Sequence, residues 1–241
     1  MLFRSHLFPE VVSLYGEYAN IAVLRRHLEN MGVVVTVTPV YCDDTPDFTS
    51  ADMVYMGAGT ERRQKYVLTR LLPHSDALRA AAARGAVILF TGNAMETLGA
   101  SITDAKGTVH PALGFADFTT VETEKRDPED VIALPSLWDE PLVGFMNKCS
   151  TTKGITAPLF PSLSLGFGNE AKLGAEGYVS GSIFATHITG PVLVKNPAFT
   201  DLIITRLFAQ KGWSLPETLP VLPHEREAYA VTLRELQARI K

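Results

Sequence analysis

Side chains able to do covalent or acid–base chemistry are sparse in this 241-residue chain, which has two cysteines and six histidines. The stretch most suited to hold one holds none. Residues 85–99 read GAVILFTGNAMETLG. Residues 86–90 are an unbroken apolar run between turn formers, the pattern of a strand buried on both faces. Thr91, Gly92, Asn93 and Ala94 are small or turn-forming, and Met95 to Leu98 begin a helix that stops at Gly99. A buried strand, a tight turn and a helix form the elbow on which α/β enzymes commonly place a nucleophile. The crest of this elbow offers Thr91, Gly92 and Asn93, and none is Cys or Ser.

The other candidates each carry a structural reading beside the chemical one. Cys149 reads first as a small packing residue and second as a relocated nucleophile. His187 reads first as a buried histidine bonded to backbone and second as a relocated base. Thr91 and Asn93 are not usual nucleophiles without a base, and Asn93 is expected to cap the helix that follows. Glu17, Asp43 and Asp44 read as solvated carboxylates. Gly57-Ala58-Gly59 ends a short apolar strand, and such a turn can make a nest of backbone N–H groups.

The elements that must position these residues follow from periodicity. Residues 2–8 are a weak first strand. Ile21, Leu24, Leu28 and Met31 fall on one helical face, which Gly32 closes. Residues 33–40 and 53–56 are strands, and residues 60–84 are helical with a break at Pro73. The alternation predicts an α/β fold, an open and mostly parallel sheet with helices on both faces. Ligands in such sheets bind at the carboxyl ends of the strands.

Beyond Gly99 the texture becomes β-rich, and it is expected to extend the same core. Asp104 to Gly107 predicts a hairpin turn. Residues 121–131 are strongly charged and read as an exposed loop or edge, or as a docking surface. Residues 142–147 and 182–188 read as strands. Asn196-Pro197 starts a helix with Asn as its cap. Residues 1–212 therefore form one domain. Residues 213–241 add a Pro-rich connection and an amphipathic helix with Tyr229, Leu233, Leu236 and Ile240 on one face.

Composition narrows the function classes. The net charge is −4 and no dense Lys/Arg block occurs, so nucleic acid is not expected as a partner. No apolar run approaches the roughly 20 residues of a membrane span. Cys42 and Cys149 form no CxxC pair, so neither a metal site nor any cofactor is expected, and a reducing cytoplasm is the expected location. No GxxxxGK[ST] loop is present, and no GxGxxG follows the first strand, so neither ATP nor NAD is expected to bind in those ways.

Several strings then converge. They are LYGEYAN at residues 14–20, MGAGTE at 56–61, GFMN at 144–147, GFGN at 166–169, GAEG at 174–177, THITGP at 186–191 and KNP at 195–197. In this order the chain resembles the class I glutamine amidotransferases of the cobyric-acid-synthase type. More narrowly, it looks like the amidotransferase subunits of lipid II isoglutaminyl synthase. The resemblance implies a flavodoxin-like three-layer fold. It also implies a chemistry: a cysteine thiolate on the elbow attacks the glutamine side-chain amide. A late histidine activates that thiol, backbone N–H groups hold the oxyanion, and ammonia passes to an ATP-using partner.

Carried onto this chain, the cysteine position falls on Gly92 and the histidine position on Thr189. Neither side chain can do the work. The resemblance thus implies a non-catalytic member that binds a partner, a Mur-ligase-like synthetase, or holds a small amide or amino-acid ligand in a vestigial cleft. That cleft would be lined by Gly57, Ala58, Gly59, Thr91, Asn93 and Asn147. The alternative is an active amidotransferase or amide hydrolase with a site rearranged around His187 or Cys149.

Overall fold

The computed structural model describes residues 2–240, apart from the side chains of Phe3 and Arg4. The strands are β1 (Leu2–Leu7), β2 (Val35–Val40), β3 (Met53–Met56), β4 (Val87–Thr91), β5 (Ser101–Thr103) and β6 (Val109–Pro111). They continue as β7 (Thr119–Leu134), β8 (Leu142–Lys153), β9 (Ser162–Leu165), β10 (Tyr178–Ser180) and β11 (Ile183–Thr186). The helices are α1 (Tyr18–Asn30), α2 (Glu61–Leu71), α3 (Ser75–Ala83), α4 (Val192–Lys195), α5 (Pro197–Lys211) and α6 (Glu225–Gln237).

A six-stranded sheet in the order β2-β1-β3-β4-β11-β10 forms the centre, with only β10 antiparallel to its neighbour. Strand alternation divides its side chains between two cores. Met53, Tyr55, Val87 and Leu89 face one side, where α1 and α5 bury Leu24, Leu28, Ile203 and Leu207. Val54, Met56, Ile88 and Phe90 face the other, against Val67, Leu71 and Leu78 of α2 and α3. This is the expected open α/β sheet with helices on both faces. No described helix is long and apolar enough to cross a membrane.

The β-rich half does extend the core, but through a second sheet of its own. Strands β6, β5, β7 and β8 lie in that order, with β9 also paired to β7. Val131 and Ala133 of β7 point into the α1/α5 core. Ile132 of β7 and Val143 of β8 point the opposite way and meet Tyr229 and Leu236 of α6. The final helix therefore packs on its own chain, although Ile240 falls beyond it and is exposed.

Four local readings are corrected. Residues 121–131 are not a loop: they lie within the sixteen-residue strand β7. Their charges are accommodated because the middle of β7 is exposed on both faces. The ladder with β8 also breaks between Glu122 and Asp127, where β7 bulges out opposite Cys149. Residues 92–98 form a 3₁₀ stretch rather than an α-helix. Asn196 sits at the start of α5 without a side-chain cap. Its amide instead pairs with the N–H and C=O of Val143, tying α5 to β8. Glu17 is not solvated but completely buried.

Candidate functional site

The site is built where β3, β4 and β11 end. Thr91 closes β4 in extended backbone, and Gly92 turns the chain with φ +62°. That left-handed conformation favours glycine. A Cβ at Gly92 would also lie 2.5 Å from Cβ of Ala58, inside any real carbon–carbon contact. Ala58 reaches that spot because the turn after β3 is clamped to the elbow. Asn93 Oδ1 accepts the Gly59 N–H at 3.0 Å, and Asn93 Nδ2 donates to the Gly59 carbonyl at 2.9 Å. Asn93 is thus a clamp between two strand ends rather than a helix cap. The N–H of Gly59 in the expected nest is taken by this clamp.

Beneath the elbow lies the carboxylate of Glu17, at the start of α1. Tyr55 donates its hydroxyl to Oε2 at 2.8 Å, and Gly190 donates its N–H to Oε1 at 2.9 Å. The hydroxyls of Thr91 and Thr189 donate to the same carboxylate. Asn20 supports the group by donating to the Tyr55 oxygen at 2.9 Å. Desolvation, then the charge of Glu17, hold the Tyr55 phenol well above its usual range. A buried carboxylate persists only when its lone pairs are filled, and this one is filled from three strand ends. The hydroxyl of Thr189 is therefore committed to Glu17.

A second buried cluster surrounds His187. Its Nδ1 is 3.1 Å from Glu176 Oε1, and its Nε2 is 3.4 Å from Thr152 Oγ1 and 3.6 Å from Glu96 Oε1. Glu96 accepts the hydroxyl of Ser150 at 2.5 Å and an N–H of Gln64 at 2.6 Å. Burial opposes the charge on Glu96, but His187, Ser150 and Gln64 outweigh it and hold the carboxyl below its ordinary range. Lys148 turns its Nζ inward to the Gly168 carbonyl at 2.5 Å, and burial lowers its basicity.

Above both clusters is a cleft of about 220 Å³. Ala58, Gly59, Gly92, Asn93, Asn147, Cys149, His187 and Thr189 all line it, whereas Gly57 and Thr91 do not. Three hydrogen bonds link residues of its wall. Arg126, from the β7 bulge, donates to Glu61 Oε1 at 2.5 Å and to the Asn147 carbonyl at 2.7 Å. Asn147 Nδ2 donates to the hydroxyl of Tyr15 at 2.8 Å. Tyr15 itself sits at φ 59°, an uncommon conformation for an aromatic residue.

Cys149 and His187 share the cleft but not a hydrogen bond. The Cys149 sulfur is 3.7 Å from Arg126 Nη2. Burial first and the Glu61 charge next push its thiol up to about 12, against the pull of Arg126. Such a thiol holds little thiolate near neutral pH. Among the described residues no group of three or more His, Cys, Asp or Glu side chains converges to hold a metal ion.

Sequence reasoning misread Glu17 as solvated and missed Tyr55, Glu96, Glu176, Glu61 and Arg126. Glu61 and Glu176 lay inside the strings MGAGTE and GAEG, and Glu96 follows the elbow on a segment otherwise made of small and apolar residues.

Residues 5–197 match the CobB/CobQ-like glutamine amidotransferase domain. Subunit GatD of lipid II isoglutaminyl synthase (glutamine-hydrolyzing) from Staphylococcus aureus (strain N315) is 25% identical over 234 residues, 97% of this chain and 91% of that protein. The GatD subunit from Streptococcus pneumoniae (strain ATCC BAA-255 / R6) is 25% identical over 210 residues, 86% of this chain and 80% of that protein. A crystal structure of a glutamine amidotransferase superposes with a TM-score of 0.51 at 12% identity, covering 83% of this chain and 98% of that one. That likeness shows the shared fold. The chain belongs to the CobB/CobQ-like glutamine amidotransferase domain family.

Proposed function

We propose that this chain is an amidotransferase-like subunit without glutaminase activity, acting as the binding partner of a Mur-ligase-like synthetase. One observation carries the reading. At the elbow crest, where the resemblance places the nucleophile, Gly92 has no side chain, and Ala58 occupies the space a Cβ would need. A thioester cannot form without a thiol at that point.

Two further observations support it. Thr189, at the position of the base, has no group able to take a proton near neutral pH, and its hydroxyl is bound to Glu17. The cleft thiol, Cys149, is held as a neutral group by burial and by Glu61. The synthetase partner rests on likeness to GatD proteins, named as subunits of lipid II isoglutaminyl synthase. The cleft carries both charge signs in Glu61 and Arg126, which suits a small zwitterion such as an amino acid.

The test is intact-mass spectrometry after incubation with an electrophilic chloroketone analogue of glutamine. The expected result is an unmodified protein. An adduct mapped to Cys149 by peptide analysis, and blocked by excess glutamine, would overturn the reading in favour of a relocated nucleophile.

A further inference from the structure

One buried histidine ties the C-terminal segment to α1, beside the Arg226 ion pairs and the Tyr229 hydroxyl, which donates to the Pro141 carbonyl at 2.7 Å. His27 lies on α1 at 1% exposure, and Glu225 at the start of α6 is at 5%. His27 Nδ1 is 3.0 Å from the carbonyl oxygen of Pro220, and Nε2 is 3.0 Å from Glu225 Oε1. A carbonyl oxygen can only accept, so Nδ1 carries a proton. A carboxylate likewise accepts, so the His27–Glu225 pair must hold a second proton for the other contact to be a hydrogen bond. Without that proton a ring lone pair would face a buried carboxylate.

The surrounding charges favour the protonated pair. Asp201 on α5 adds negative charge beside it. Arg226, the next residue of α6, is engaged elsewhere, at 2.7 Å from Glu140 and 2.9 Å from Asp201. Burial works against the charged ring, but Glu225, Pro220 and Asp201 outweigh it, and the histidine is raised above its ordinary range. A group raised in the folded state stabilises below its unfolded value and loses that contribution as pH rises through the folded one.

The geometry points to a pH-releasable strap: residues 213–240 are held down by the protonated His27–Glu225 pair and loosen when that proton is lost. The strap covers a defined face. Tyr229 and Leu236 lie on Ile132 and Val143 of the second sheet. The same two strands carry Arg126 and Asn147 to the cleft. Loosening α6 therefore uncovers the outer side of the strands that form the cleft wall. This inference is independent of whether the chain hydrolyses glutamine.

The experiment is amide hydrogen exchange of the full chain at about pH 6 and about pH 9, corrected for intrinsic exchange. In the native protein, protection of α6 peptides is expected to fall about tenfold at the higher pH, while β4 peptides keep theirs. In His27→Gln, α6 protection is expected to be low at both pH values. Glu225→Gln leaves α1 untouched and is expected to flatten the pH dependence as well. Equal α6 protection at both pH values in the native protein would overturn the proposal. So would loss of β4 protection in parallel with α6, which would mean global unfolding.

Discussion

Ala58 stands where a side chain on residue 92 would begin: the two Cβ positions would be 2.5 Å apart. The elbow and the turn after β3 are thus fitted to each other, with Asn93 clamping them through Oδ1 and Nδ2 of its side-chain amide. Gly92→Ala meets two penalties, the left-handed backbone and the overlap. Together they are expected to destabilise by about 2–4 kcal/mol in urea unfolding. Ala58→Gly in the same chain is expected to restore the steric part and leave the backbone part. An unchanged midpoint in Gly92→Ala alone would show that Ala58 yields freely.

Glu17 joins α1 to three strand ends. Truncating it to Ala removes the carboxylate acceptor of the buried hydroxyls of Thr91 and Thr189 and of the part-buried N–H of Gly190, while Tyr55 keeps the backbone carbonyl of residue 17 at 3.1 Å. The expected cost is about 3 kcal/mol or more, because each orphaned donor costs roughly 1–3 kcal/mol. Glu17→Gln is expected to destabilise too, since its NH₂ faces donors. Chemical denaturation of both variants checks this, and a loss below about 1 kcal/mol in Glu17→Ala would contradict the network.

Glu96 makes a pH-dependent contribution whose sign is fixed. Its carboxyl is held below the ordinary range, against burial, by His187, Ser150 and Gln64. Its stabilisation is therefore present above the unfolded value and lost as pH falls through the folded one. Unfolding free energy measured from neutral pH down to about pH 3 is expected to fall less steeply in Glu96→Gln than in the native protein. Parallel curves would mean that the carboxylate is not coupled to folding.

Much of the first half was legible because local pattern and tertiary role agree there. Residues 53–56 and the run before Thr91 became β3 and β4, and Pro73 marked the break between α2 and α3. The second sheet was harder. β7 carries its charges on a segment exposed on both faces, so it lacks alternation over residues 123–128. The elbow was readable, but its meaning was not complete, since nothing local to residue 92 announces Ala58. Glu17 failed as a reading for the same reason. A glutamate becomes a core residue only through partners such as Thr189, which is 172 positions away.

The elbow crest at Gly92 offers no nucleophile, and glutamate release from glutamine measures the consequence directly. The native chain is expected to release none above the uncatalysed rate. Gly92→Cys with Thr189→His alone is also expected to stay silent, because Ala58 still blocks residue 92. Adding Ala58→Gly makes room for the thiol and is expected to bring measurable release. Turnover by the native chain, abolished by Cys149→Ala or His187→Ala, would contradict the account and establish a rearranged site.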